Sequence, residues 1–328
     1  MENKKDKREQ RAADNVAQFF DFRESIQTEK YKPIKTGLSF YDELTDGAAA
    51  QTLTVILAEQ GAGKTMLLQQ LAESIAAQHQ RHVIYLNFEM SRAQLLARAI
   101  SARIYKRGNM KKTQKDILRG YNWTDAERAE ILEALDEYAR EALPYISYNP
   151  QDITADIETL EAYLKELQEL PQPPALFVDY LQLIQSDKKQ DIKDRLTQAL
   201  IDLKSYAIKG NTFVYLISAV NRATRENITA ASARDTSAIE YQADYLLKLE
   251  NYKDQAAANR KGLQRMILQV LKSRDGEAGK YSIVYRDGRN NVFTGEYRGG
   301  ADPDELPPEL PAYLKRPGEY DDGEQIIY

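Results

Sequence analysis

Four short, nearly unbroken apolar runs divide the chain, Leu53–Leu57, Val83–Phe88, Ala175–Val178 and Thr212–Ile217, and long helical periods lie between them. Each run is too short for a helix and rich in β-branched or aromatic residues, so each reads as a strand buried on both faces. Helical patterns cover Ser91–Tyr105, Thr124–Ala142, Ile153–Leu170 and Asp191–Ile208, and Thr124 and Glu127 are spaced for a capping box. Strands alternating with helices imply right-handed βαβ units: an α/β fold with a mostly parallel sheet flanked by helices. After Ile239 the runs shorten to Tyr245–Leu249, Met266–Leu271 and Tyr281–Tyr285, with Gly276, Gly279 and Gly288 at turns. That pattern reads as an antiparallel extension at one sheet edge.

The flanks differ from this body. Residues 1–33 are highly charged, yet Val16, Phe19, Phe20 and Ile26 are spaced for one helical face. The segment is either a frayed arm or a helix docking on another subunit. Residues 34–298 form the α/β domain. In 299–328, Pro303, Pro307, Pro308, Pro311 and Pro317 alternate with acidic residues, a composition of disorder, with a partner-docking tail as the alternative. A chain of 328 residues suits one large core with such flanks as well as it suits two domains.

The absence of cysteine excludes disulfides, thiol catalysis and cysteine-ligated zinc. His79 and His82 alone fall short of a metal site and read as a solvated loop. No apolar run reaches membrane-spanning length, and acidic residues among the first lysines do not suit a targeting peptide, so a cytoplasmic protein without membrane contact is expected. A net charge of −5 argues against a generally basic nucleic-acid surface but permits a local one.

The richest chemistry lies in TVILAEQGAGKT, Thr54 to Thr65. A strand breaks into a glycine turn that opens a helix, the context that gives a Walker A match its mechanism. Gly61, Ala62 and Gly63 bring backbone N–H groups close to phosphate oxygens. Lys64 reaches the terminal phosphates, Thr65 can ligate Mg²⁺, and Met66 continues the helix whose N-terminus favours anions. Ala58 stands where the pattern usually has its first glycine. Ligands of parallel α/β sheets bind outside the carboxyl ends of the strands. The second strand delivers Glu89 there, the third Asp179, and the fourth Ser218, Asn221 and Arg222. Asp179 after an apolar run is a Walker B pattern that holds Mg²⁺ through water, and Glu89 suits a general base for the attacking water. ATP and Mg²⁺ are the expected ligands. Lys272 and Arg274, two apart at a strand end, project to the same side and could steady charge on a transferred phosphoryl group.

Taken together, these stretches resemble the RecA-like motor domain of the DnaB family of replicative helicases. TGLSFYDELTDG is similar to the family's entry segment, AEQGAGKT to its Walker A, NFEMS to the motif of its catalytic glutamate, and FVDYLQLI to its Walker B. ARDTSAIEYQAD and VLKSRDGEAG resemble its DNA loop and finger motifs, in the same order, over about residues 34–295. The resemblance implies that Lys272 and Arg274 reach the γ-phosphate in a neighbouring subunit. It also implies that Arg234, with Asp235 and Ser237, grips the single-stranded DNA backbone in the channel of a homo-oligomeric ring, a hexamer. Where the family has a glutamine after the fourth strand, Ala219 follows Ser218. Only about 33 residues precede the domain, too few for the family's primase-binding collar, so direct primase docking is not expected.

Two readings follow. One is a Mg²⁺-dependent ring ATPase that translocates on single-stranded DNA and unwinds duplex, with a helicase loader as a further partner. The other is a non-motor RecA-like ATPase, a nucleotide-controlled loader or regulator of replication, which Ala219 and the acidic balance favour. A strand-exchange recombinase fits less well, because the similarity extends to the finger and loop motifs.

Overall fold

The computed structural model describes residues 16–17, 32–108, 112–120, 123–149, 157–179, 192–219, 237–252, 262–274 and 276–299. Of the expected N-terminal arm (1–33) only Val16, Ala17, Lys32 and Pro33 fall within them, and of the expected tail (299–328) only Gly299 does.

A nine-stranded sheet organises these residues. Its strands are β1 (Thr52–Ala58), β2 (Val83–Asn87), β3 (Ile146–Tyr148), β4 (Ala175–Asp179), β5 (Phe213–Ala219), β6 (Tyr245–Asn251), β7 (Gln264–Ser273), β8 (Tyr281–Asp287) and β9 (Val292–Gly299). They lie in the order β3-β2-β4-β5-β1-β6-β7-β8-β9. The pairs from β3 to β6 are parallel; β7, β8 and β9 form an antiparallel meander at one edge.

Every residue of β1 is buried, as two covered faces require. Ile56 and Ala58 face a cluster with α1 (Ser39–Thr45), α2 (Lys64–His79) and parts of α3 (Arg92–Lys106) and α5 (Asp125–Glu141). Leu53, Val55 and Leu57 face the other side, where α6 (Ile157–Gln168), α7 (Ile192–Lys209) and α8 (Ser237–Gln242) pack. A small separate cluster joins α3, α4 (Gln114–Arg119) and α5: Ile100, Ile104, Ile131 and Ala134, with Ile117, Trp123 and Leu135 against them. A row of rings crosses the sheet beneath α2, with Phe177 stacked on Tyr215 at 4.9 Å and on Tyr85 at 6.4 Å.

The expected capping box is present: Thr124 caps α5 with Glu127. Three features differ from the sequence reading. Tyr245–Asn251 pairs antiparallel with β7, as expected of the extension, but its other edge pairs parallel to β1, so this strand joins the parallel and antiparallel parts of the sheet. The three-residue β3 and the polar-rich β9 carry too little apolar pattern to stand out. His79 ends α2 rather than lying in a loop, and its Nε2 lies 2.6 Å from the Lys35 carbonyl oxygen.

Candidate active site

The carboxyl ends of β1, β2 and β4 converge on the start of α2. Gly63 caps this helix in the left-handed region (φ 91°), with no side-chain cap and no acidic residue in the first turn. Its first N–H groups therefore have no intrahelical acceptor and face an anion site. Gly61 is also left-handed (φ 83°), with open space where a Cβ would stand. Ala62 and Met66 are buried beneath the loop. Lys64 Nζ makes a long 3.3 Å bond to the Glu59 carbonyl oxygen. Burial lowers its pKa, and the nearby Asp179 and Glu89 carboxylates oppose that shift.

Asp179 is fully buried at the end of β4. Its Oδ2 accepts from Asn87 Nδ2 at 2.8 Å, with Tyr85 Oη 3.5 Å away; Oδ1 has no hydrogen-bond donor among the described residues. Burial pushes the carboxyl up to about 6; the Thr65 hydroxyl and the Lys64 and Arg98 cations act in the opposite direction, and Glu89 adds to the rise. A buried carboxylate with one open oxygen beside a threonine hydroxyl is a donor set suited to a hard divalent cation. Mg²⁺ therefore fits Thr65 and Asp179.

Glu89 stands exposed just past β2. It does not cap the following helix, which Ser91 and Gln94 cap between themselves. Its influence on Lys64, Arg98 and Asp179 places it in the same electrostatic site.

Two cations missed by the sequence reading join the group. Arg98, on α3, has Nε and Nη1 buried without partners among the described residues; burial lowers its pKa, and Tyr85, Asp179 and Glu89 oppose this. The available signal was an arginine on the stripe of Leu95, Ala99 and Ala102. Arg286, in β8, donates from Nη1 to the Gly61 carbonyl oxygen, and a Cβ on Gly63 would lie 2.9 Å from its Cδ. No local pattern marks Arg286.

Lys272 and Arg274 lie at the opposite end of the sheet. Arg274 Nη1 pairs with Asp244 at 3.0 Å, and its backbone N–H donates to the Asp244 carbonyl oxygen. Lys272 Nζ donates to the carbonyl oxygens of Glu240 and Ala243, at the end of α8. Buried Asp244 also pairs with Lys204 and accepts from the Leu53 N–H at 2.7 Å. Arg274 is thus level with Leu53 and Lys272 with Val55, two strands away, while the phosphate loop starts after Ala58. At about 3.3 Å per strand residue this sets the two backbones back by roughly 17 Å and roughly 10 Å along the strands, with about 10 Å more across the sheet.

Ser218 is buried on β5 beside Leu57, and the Ala219 backbone pairs with Ala58. Ser237 begins α8. Arg234, Asp235, Asn221 and Arg222 lie outside the described residues.

Residues 33–293 match the DnaB-like helicase C terminal domain. The chain is 26% identical over 285 residues to a probable plasmid replicative DNA helicase of Chlamydia psittaci, covering 85% of this chain and 58% of that protein. It is 27% identical over 267 residues to a probable replicative DNA helicase of Trieres chinensis, with 77% and 56% covered. The chain thus spans a little over half the length of these relatives. Among solved structures, one described as an ATPase domain aligns at a TM-score of 0.68 and 18% identity, over 85% of this chain and 97% of that one. A DnaB-like replicative helicase, whose structure was described together with its interactions with primase, gives 0.68 and 18%, over 86% and 66%. At that identity the shared property is the RecA-like fold.

Proposed function

This chain belongs to the DnaB-like helicase C terminal domain family, and from that premise we propose that it is the ATP-hydrolysing motor of a ring-forming DNA helicase. One observation carries the reading. Three strand ends gather Lys64, Thr65, Glu89 and Asp179 around an uncapped helix start, and a buried Asp179 oxygen there has no described donor. In this reading the loop N–H groups from Gly61 to Met66 and the Lys64 ammonium bind the phosphates of ATP. Thr65 and Asp179 hold Mg²⁺, which when bound neutralises phosphate charge. Glu89 accepts a proton from the water attacking the γ-phosphorus, and Arg98 adds a cation to the same field.

The distance of Lys272 and Arg274 from the chain's own loop supports their action in a neighbouring subunit, and with it a homo-oligomer, a hexamer in our proposal. Arg234, Asp235 and Ser237 bind the backbone of single-stranded DNA. The protein acts in the cytoplasm, and a loader places the ring on DNA. Residues 34–298 are the motor, 1–33 an arm that docks between subunits, and 299–328 an acidic, proline-rich tail.

The alternative, a nucleotide-controlled loader or regulator, is favoured by Ala219. Its backbone flanks the last residue before the phosphate loop, and alanine offers no hydrogen bond there. The discriminating experiment measures ATP turnover with and without single-stranded DNA, mass in Mg²⁺–ATP, and separation of a forked duplex. The motor reading expects DNA-stimulated turnover, a ring mass and fork separation. Turnover indifferent to DNA, without unwinding, assigns the chain to the second class.

A further inference from the structure

Asn87 ends β2 with its side chain buried between two proposed working groups. Its Nδ2 donates to Asp179 Oδ2 at 2.8 Å, and its Oδ1 accepts from the backbone N–H groups of Glu89 at 3.0 Å and Met90 at 2.5 Å. Its own N–H donates to Asn149 Oδ1 at 2.6 Å, which fixes the residue from the β3 side. The amide has only one satisfactory orientation. Turned over, it would set a carbonyl against a carboxylate and an NH₂ against two N–H groups.

We propose that Asn87 is a positioning residue that holds the Asp179 carboxylate and the Glu89 backbone in one fixed relation. This rests on the roles given above to Glu89 and Asp179. Three consequences follow from the geometry. Asn87, with Tyr85 nearby, occupies Oδ2 of Asp179, which leaves Oδ1 as the open oxygen. The exposed Glu89 side chain takes its direction from a backbone pinned two residues back. Asp179 and Glu89 also become parts of one unit, reinforced by the Phe88 N–H donating to the Asp179 carbonyl oxygen at 3.1 Å.

Few side chains could serve both ends. A serine hydroxyl reaches one partner or the other, aspartate lacks the donor for Asp179, and glutamine is a methylene longer. A merely structural reading exists too, since an asparagine accepting from the next two or three N–H groups is an ordinary turn device. The test must therefore move something that a turn residue would not.

The variants are Asn87→Ala, Glu89→Gln and the double change, with Asn87→Ser as the milder substitution should alanine fail to fold. The readouts are kcat and KM for ATP, and the Mg²⁺ midpoint for the signal of a bound fluorescent nucleotide. Loss of positioning should lower kcat about tenfold or more while KM moves less than about threefold. The Mg²⁺ midpoint should rise severalfold. At saturating Mg²⁺, where the Asp179 effect is masked, the same change in the Glu89→Gln background should cost less than about twofold in kcat, because the group it aims is already disabled. Equal fractional losses in both backgrounds, or a kcat within about twofold of wild type in Asn87→Ala, would overturn the proposal. Glu89→Gln alone separates the two levels. If it stays active, the reading of Glu89 fails; if it is inactive beside a fully active Asn87→Ala, only the positioning role fails.

Discussion

The two ends of the central sheet carry similar charges in opposite states of completion. Among the described residues at the carboxyl ends of the parallel strands, Asp179 keeps an unpartnered oxygen, Arg98 has two buried nitrogens without acceptors, and Lys64 makes one long contact. At the other end Asp244 is saturated: Lys204, Arg274 and the Leu53 N–H all converge on one buried carboxylate. Buried polar groups left unsatisfied cost stability, and the first end retains them where a phosphate and a cation would complete the set. The second end uses the same chemistry to close the fold. Within a single chain, incompleteness rather than charge alone therefore marks the nucleotide site.

Four substitutions test this contrast. Lys64→Ala should have the largest effect, lowering ATP turnover about a thousandfold while shifting the melting temperature by no more than about 2 °C. Steady-state kinetics beside calorimetry checks it; a large loss of stability would mean that Lys64 belongs to the fold.

Asp244→Ala should act the other way round, costing about 3 kcal/mol by urea titration, because it strands the buried Lys204 ammonium without its partner. A loss below about 1 kcal/mol would show that this end is less complete than its contacts suggest.

Asp179→Asn should stabilise the protein in EDTA by about 1–2 kcal/mol at pH 7.5 while abolishing Mg²⁺-dependent turnover. The sign follows from burial, which raises this carboxyl from 3.8 to about 6. The penalty for its charge is full above that pH and disappears as the pH falls towards the unfolded value, so the advantage of the variant should shrink by pH 5. Equal melting curves at both pH values would remove the argument.

Arg274→Ala should cost under about 1 kcal/mol of stability, since this side chain is 49% exposed. Its effect should appear in assembly instead: inactive alone, it should regain turnover when mixed with Lys64→Ala subunits. Mixtures as inactive as their parts would place the guanidinium outside any neighbouring site.

What the sequence reveals of all this depends on how local the signal is. Strand, loop and helix from Thr52 to His79 are contiguous, so Lys64 and Thr65 could be read directly, and the apolar runs ending at Asn87 and Asp179 pointed to the same end of the sheet. Strand direction at β6 could not be read, because Tyr245–Asn251 is an apolar run that suits either sense, and α8 before it is only six residues. Asp244 joins groups from Leu53, Lys204 and Arg274, and no pattern in one stretch of sequence records that meeting. Arg98 left a trace as a cation on an apolar stripe. Asn87 reads at most as a turn residue, since its bond to Asp179 exists only once β2 and β4 are side by side.

The small α3–α4–α5 cluster holds Trp123, the only tryptophan in the chain. Intrinsic tryptophan emission is thus a local thermometer for this helical annex, while far-ultraviolet circular dichroism follows the backbone of the whole fold. Recorded in one denaturation run, the two probes reveal whether the annex melts with the sheet or ahead of it.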